Sequence, residues 1–252
     1  MSAVWYGKLP ERWDVVPNRV VFTERKTKNN NNDAQLLSLS QYSGISKKTD
    51  TAVGIRPAES LIGYSIVKKN DIVMNIMLAW NGSQAISPFN GVISPAYAVF
   101  SVRGDCNPWY YHYLMRTPEI CNYFSAYSTG VIKSRLRLYP EIFRTLKTLL
   151  PPSDEQDQIV RFLDWKVSQI NKFIKLIYGK PSIDPKVLES HPNSLLALLI
   201  EYRTRLISDT VTGKLDVRGV IVPEYVSVVE DSASDGDIID NESMDDSAED
   251  VE

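Results

Sequence analysis

The chain has 252 residues, 43% of them hydrophobic, enough for one large domain, or one medium domain with an extension, around a sizeable core. No apolar run approaches the roughly 20 residues of a membrane span, and Met1–Lys8 lacks a basic start followed by an apolar stretch, so neither a membrane helix nor a signal peptide is expected. The net charge of −3 hides a split: no Lys or Arg follows Arg218, 12 Asp or Glu fall within 223–252, and residues 1–222 hold 28 basic against 19 acidic side chains, a net of +9.

Residues 1–150 read as an α/β (α+β) domain. Short β-favouring stretches recur between turn signals, at 36–40, 71–76 and 96–102. Asn81-Gly82 and Asn90-Gly91 are strong turn dipeptides. The run Asn29–Asn32 beside Lys26 and Lys28 reads as an exposed loop. Asn107-Pro108 ahead of Trp109–Leu114 predicts a capped helix. Cys106 and Cys121, the only cysteines, read as reduced structural thiols, with one disulfide between them left open.

Pro151-Pro152 ends this domain, because proline blocks helix continuation and drives its neighbour towards extended backbone. Ser153 and Gln156 have the spacing of a capping box. Beyond them Val160, Leu163, Val167, Ile170, Ile174 and Ile177 follow at steps of 3 and 4, the seam of a coiled coil. A helix over 153–177 is about 37 Å long at 1.5 Å per residue. Gly179, Pro181 and Pro185 break it. A second helix is predicted from Asn193 to Thr212, with Leu195, Leu199, Tyr202 and Leu206 on one face and Gly213 as its C-terminal cap. Together they form an antiparallel hairpin projecting from the first domain. The acidic, Ser- and Asp-rich tail, 219–252, reads as disordered.

Reactive groups do not converge along the chain. His112 lies among tyrosines and His191 in a connecting segment, no Cys/His spacing matches a zinc site, and no phosphate loop or dinucleotide fingerprint is present. Glu24-Arg25-Lys26, with Asp14 upstream, offers the acidic and basic groups of a metal-dependent nuclease, but the tripeptide arises by chance in most proteins. The chain is therefore expected to be no enzyme and to hold no metal.

Two segments resemble a known family. Leu149-Leu150-Pro151-Pro152-Ser153-Asp154-Glu155-Gln156, followed by Ile159-Val160 and Phe162-Leu163-Asp164, resembles the start of the conserved helical region of type I restriction–modification specificity (S) subunits. Residues 203–218, Arg203 through Thr212-Gly213-Lys214-Leu215-Asp216-Val217-Arg218, resemble its end. Leu9–Trp13, Ala79–Gly82 and Gly91–Tyr97 resemble parts of a target-recognition domain. The resemblance implies a target-recognition, DNA-binding domain at 1–150, a coiled-coil spacer and docking region at 151–218, and the tail beyond. It implies a cytoplasmic, non-catalytic subunit that selects double-stranded DNA for modification (methyltransferase) subunits, which transfer methyl groups from S-adenosylmethionine to adenine. A restriction subunit, where present, adds ATP- and Mg-dependent cleavage; none of these cofactors belongs to this chain. One recognition domain and one helical region make a half-length form, which implies a homodimer or pairing with another half-subunit. The alternative is a remnant that binds a modification subunit without reading DNA.

On this resemblance the DNA candidates are Ser128, Thr129, Lys133, Ser134, Arg135 and Arg137, which combine hydroxyls and cations around Gly130. Lys26 and Lys28 are phosphate candidates. Ser40, Gln41, Asn75 and Trp80 lie near loops where bases are read, although a polar turn explains the first two and core packing the tryptophan. The helices offer Val160, Phe162, Leu163, Val167, Ile170, Phe173, Ile174, Leu196, Leu199, Leu206 and Ile207 for packing and docking; Phe162, Phe173, Leu196 and Ile207, off the seam, are expected to await a partner.

Overall fold

A computed structural model describes residues 6–41, 43–48, 60–132, 135–179 and 194–225. Strand β1 (Asp14–Pro17) pairs antiparallel with β10 (Lys147–Leu150), Asp14 opposite Leu150, so two segments far apart in the chain close on each other. The single turn α1 (Asn18–Val21) leads into β2 (Phe22–Glu24). Strand β3 (Leu37–Ser40) forms a hairpin with β4 (Gly44–Lys47), and β5 (Ser65–Val67) pairs with β8 (Gly91–Ile93). The main sheet is antiparallel in the order β2-β9-β6-β7, where β6 is Ile72–Asn75, β7 Gln84–Ile86 and β9 Tyr97–Val102. The strands expected at 36–40, 71–76 and 96–102 are β3, β6 and β9.

Both faces of this sheet are covered, which explains why β6 shows no polar alternation. Ile72, Met74, Ala98 and Phe100 enter the main core, whereas Val73 and Val99 enter a smaller cluster with Leu37, Leu39, Ile45, Val67, Ala85 and Ile93. The two short two-stranded sheets thus cover one face and helices the other.

Helix α2 (Pro108–Met115) begins as expected, with the Asn107 side chain accepting the Trp109 amide at 2.9 Å and Pro108 at its first position. Then come α3 (Pro118–Tyr127), α4 (Pro140–Thr145), α5 (Ser153–Tyr178) and α6 (Leu195–Val211). Helices α5 and α6 run antiparallel: Arg203 donates to Asn171 at 2.7 Å, and Gln158 donates to the Val217 carbonyl, past the end of α6, at 3.0 Å. Gly179 and Gly213, with φ of +73° and +75°, end them in the left-handed conformation that glycine adopts without strain.

Four expectations are corrected. The capping box is absent: Ser153 makes no cap bond, and buried Gln156 instead accepts the Asn107 amide at 2.8 Å and donates to the Pro151 carbonyl at 2.8 Å. The helices do not simply project, because Leu163, Ile170, Ile174, Leu196, Leu206 and Val211 share one core with Phe22, Phe100, Tyr110 and Phe143. The buried face of α6 is turned by about one residue, through Leu196, Arg203 and Leu206, leaving Leu195 and Tyr202 exposed. Its cause is that α6 packs on α2 as well as α5, with the Tyr110 hydroxyl donating to the Val211 carbonyl at 2.9 Å. Finally, the asparagine run is only partly an exposed loop: Asn29 is buried and donates to the Leu61 carbonyl at 2.8 Å.

No described helix is long and apolar enough to cross a membrane. The described cysteines are free thiols. Pro181, Pro185, His191 and the tail from 226 lie outside the described residues.

Candidate nucleic-acid interface

The segment between α3 and α4 is a closed loop. The Ser128 hydroxyl donates back to the Phe124 carbonyl at 2.8 Å. Thr129 and Arg137 exchange both backbone hydrogen bonds at 2.9 Å each, forming a one-rung neck. Gly130, at φ +143°, lies so close to Arg135 that a Cβ would fall 2.7 Å from its carbonyl oxygen, so glycine is required there. Leu138 is fully buried and its amide donates to the Ile76 carbonyl at 2.9 Å, anchoring the exit from the loop beside the end of β6. Thr129, Arg135 and Arg137 are exposed. Lys133 and Ser134 lie outside the described residues.

A second group of candidates meets nearby. The Asn81 side chain donates to Gln41 Oε1 at 2.7 Å, joining the β3–β4 turn to the short 3-10 turn Ala79–Asn81. The Trp80 indole N–H donates to the Met77 carbonyl at 2.9 Å. Asn75 is buried and its side chain accepts the Met77 amide at 3.0 Å, so it shapes the turn from within. Ser40 is half-buried, and its hydroxyl lies 3.4 Å from the Ser43 amide. Ile76, between Asn75 and Met77, holds Leu138, so the Ser128–Arg137 loop, the 3-10 turn and the β3–β4 turn form one bonded series.

Beneath it lies a polar cluster that sequence reasoning missed. Arg116 donates to the Gln84 carbonyl at 3.2 Å and to the Gln41 carbonyl, fixing the β3–β4 turn to the end of α2. Burial holds the Arg116 pKa down to about 10, and burial together with Arg116 holds that of His112 down to about 3. His112 is thus neutral, its Nδ1 positioned to accept the Ile86 amide at 3.3 Å. The available signal was an arginine closing the apolar run Tyr113-Leu114-Met115.

Lys26 and Lys28 stand apart from this series. Register places Lys26 at the same end of the sheet as Asn75, with β9 between them. It is exposed and lies 3.5 Å from Glu24, while Lys28 donates to Ser65 Oγ at 3.0 Å. The nuclease motif is not assembled: Arg25 grips Asp71 at 2.7 and 2.9 Å, and Asp14 belongs to another sheet. Among the described residues no three His, Cys, Asp or Glu side chains are grouped to hold a metal.

On the helices, Val160, Leu163, Val167, Ile170, Ile174, Leu196 and Leu206 are buried, and Leu199 and Ile207 partly so. Phe162 and Leu196 were expected to leave open apolar surface, but this chain's own core takes both. Phe173 remains out, 60% exposed, together with Leu176, Ile177 and Tyr178 at the far end of α5 and Leu195, Leu198 and Tyr202 on α6.

No protein family model matches the chain, and no curated protein matches it significantly. Among solved structures it is similar to a chain from work on complex assembly and conformational transition of the type I R-M system, at 16% identity and a TM-score of 0.45, over 83% of this chain and 48% of that one. It is similar to the HsdS subunit from Thermoanaerobacter tengcongensis, at 15% identity and a TM-score of 0.44, over 83% and 47%. The S subunit of the type I restriction–modification system from M. genitalium matches at 12% identity and a TM-score of 0.43, over 67% and 44%. Two of these three solved chains are S subunits of type I restriction–modification systems, and this chain spans about half the length of each of the three.

Proposed function

We propose that this chain is a half-length, non-catalytic specificity subunit that reads double-stranded DNA and directs adenine methylation by modification subunits, and restriction where a restriction subunit joins them. The observation that carries the reading is the meeting of the two motif segments that resemble the ends of the conserved helical region. Glu155 and Gln158 of the first contact Arg218 (4.0 Å) and the Val217 carbonyl (3.0 Å) of the second, closing the helix pair at its base. The bonded loops carrying Thr129, Gln41, Arg135 and Arg137 supply hydroxyl, amide and guanidinium groups of the kinds that contact base edges and phosphates. S-adenosylmethionine, ATP and Mg are assigned to the partner subunits. The exposed end of the helix pair around Phe173 is assigned to a modification subunit or a second copy of the chain, whose two identical halves would read a two-part symmetric site.

The test is co-purification with a modification subunit, followed by methylation of genomic DNA read at single-base resolution. Adenine methylation at one two-part symmetric motif is the expected result. A stable complex that modifies no motif would overturn the reading in favour of a remnant that docks without reading DNA.

A further inference from the structure

The closed loop between α3 and α4 holds two branched apolar side chains in open water. Val131 is 102% exposed and Ile132 55%, although the backbone around them is tied at several points. The Thr129–Arg137 neck closes below them, the Arg135 amide donates to the Ile132 carbonyl at 2.8 Å, and Gly130 packs against the Arg135 backbone. A single exposed valine or isoleucine is ordinary on a protein surface. Here two adjacent ones stand just above the tied neck, and β-branching leaves each with few rotamers to lose on contact. The surroundings state what the contact is: Thr129, Arg135 and Arg137 are exposed beside the tip, and residues 1–222 carry a net +9. Cations flanking an apolar point complement a ligand whose negative charges line the edges of an apolar-bearing interior, as phosphates line a DNA groove. In the major groove the thymine 5-methyl group is the apolar surface that side chains read.

We propose that Val131 and Ile132 form an apolar reading tip that packs on thymine methyl groups in the major groove, with Arg135 and Arg137 on the flanking phosphates. The inference rests on the DNA-recognition reading above and adds to it the residues that set preference.

The experiment uses the full chain in complex with its modification subunit. Binding is measured to a duplex bearing the methylated motif, to a scrambled duplex, and to the motif with uracil in place of each thymine, which removes only the methyl groups. The Val131→Ser/Ile132→Ser double variant is expected to melt as wild type does, to bind scrambled DNA equally well, and to lose at least ten-fold in preference for the motif. Uracil is expected to weaken the wild-type complex several-fold and to leave the variant unaffected. An Arg135→Ala/Arg137→Ala variant is expected to weaken binding to all duplexes and flatten the salt dependence. Unchanged motif preference in the serine variant, or a preference lost without any uracil effect on wild type, overturns the proposal. Failure of the serine variant to assemble with the modification subunit overturns it too, by giving the tip a protein partner. A wild-type complex indifferent to every duplex overturns the recognition reading and this inference with it.

Discussion

Glu155 shows how much one side chain can organise. Its carboxylate is buried, accepts the Trp13 indole N–H at 2.7 Å, and lies 3.2 Å from Arg12 and 4.0 Å from Arg218. Glu155→Ala leaves the indole N–H without its acceptor, while Arg12 and Arg218 keep Asp154 and Asp216 as counter-charges. It should lower stability by about 1–3 kcal/mol in urea titration, the usual cost of an orphaned buried partner. Glu155→Gln keeps the acceptor and should cost less. His112 makes a second residue-level prediction. Its pKa is held down to about 3 in the fold, by burial first and Arg116 second, against 6.5 for an ordinary histidine. Below pH 6.5 the unfolded chain therefore takes up a proton that the folded chain refuses, and stability falls as pH falls from 6.5 towards 3. The loss is about 2 kcal/mol by pH 5, at about 1.4 kcal/mol per pH unit. Urea midpoints across this range, compared between wild type and His112→Gln, should show the variant with the shallower decline.

At the scale of elements, the helix pair separates what periodicity can and cannot give. The α5 seam was readable because Val160, Leu163, Val167, Ile170 and Ile174 keep one spacing and are buried, while Ile177, the last position of the same seam, is 47% exposed. On α6 the same rule chose Leu195 and Tyr202, which face water, because this helix is held between α2 and α5 and gives a seam position to Arg203. The loops divide in the same way. Chemistry alone drew attention to Thr129, Arg135 and Gln41, since cations and hydroxyls near glycine mark exposed polar backbone. It also named Asn75, whose side-chain oxygen accepts the Met77 amide, and it passed over Arg116, whose role depends on a turn some 75 residues earlier. Substitutions on α5 should follow burial. Ile174→Ala, at a fully buried position, should cost about 2–5 kcal/mol by urea titration. Phe173→Ser, one residue away and exposed, should leave the melting temperature within a degree or two while weakening assembly with a modification subunit or a second copy, read by sedimentation.

For the whole molecule, charge and core act together. The basic body and the acidic segment beyond residue 222 oppose each other, so a chain ending at residue 225 should bind non-specific DNA several-fold more tightly at low salt. That gap should close as salt rises, because screening removes long-range attraction and repulsion alike; equal affinity at low salt would show that the acidic segment does not oppose the basic body. The shared core makes a related demand, since one cluster runs from Phe22 and Phe100 through Tyr110 to Ile174 and Val211. Heat or urea should therefore melt loops and helices in one transition, seen alike by tryptophan fluorescence and far-ultraviolet circular dichroism.

The pairing of β1 with β10 also sets a timetable for biosynthesis. Asp14–Pro17 leave the ribosome first, yet their partner strand, Lys147–Leu150, is some 130 residues behind. At translation speeds of about 5–20 residues per second, that strand waits on the order of ten seconds with its backbone unpaired. Trp13 waits slightly longer for Glu155. Nascent chains stalled before residue 147 should therefore be protease-sensitive and chaperone-bound throughout, and resistance should arrive only once Lys147–Leu150 have emerged rather than in instalments.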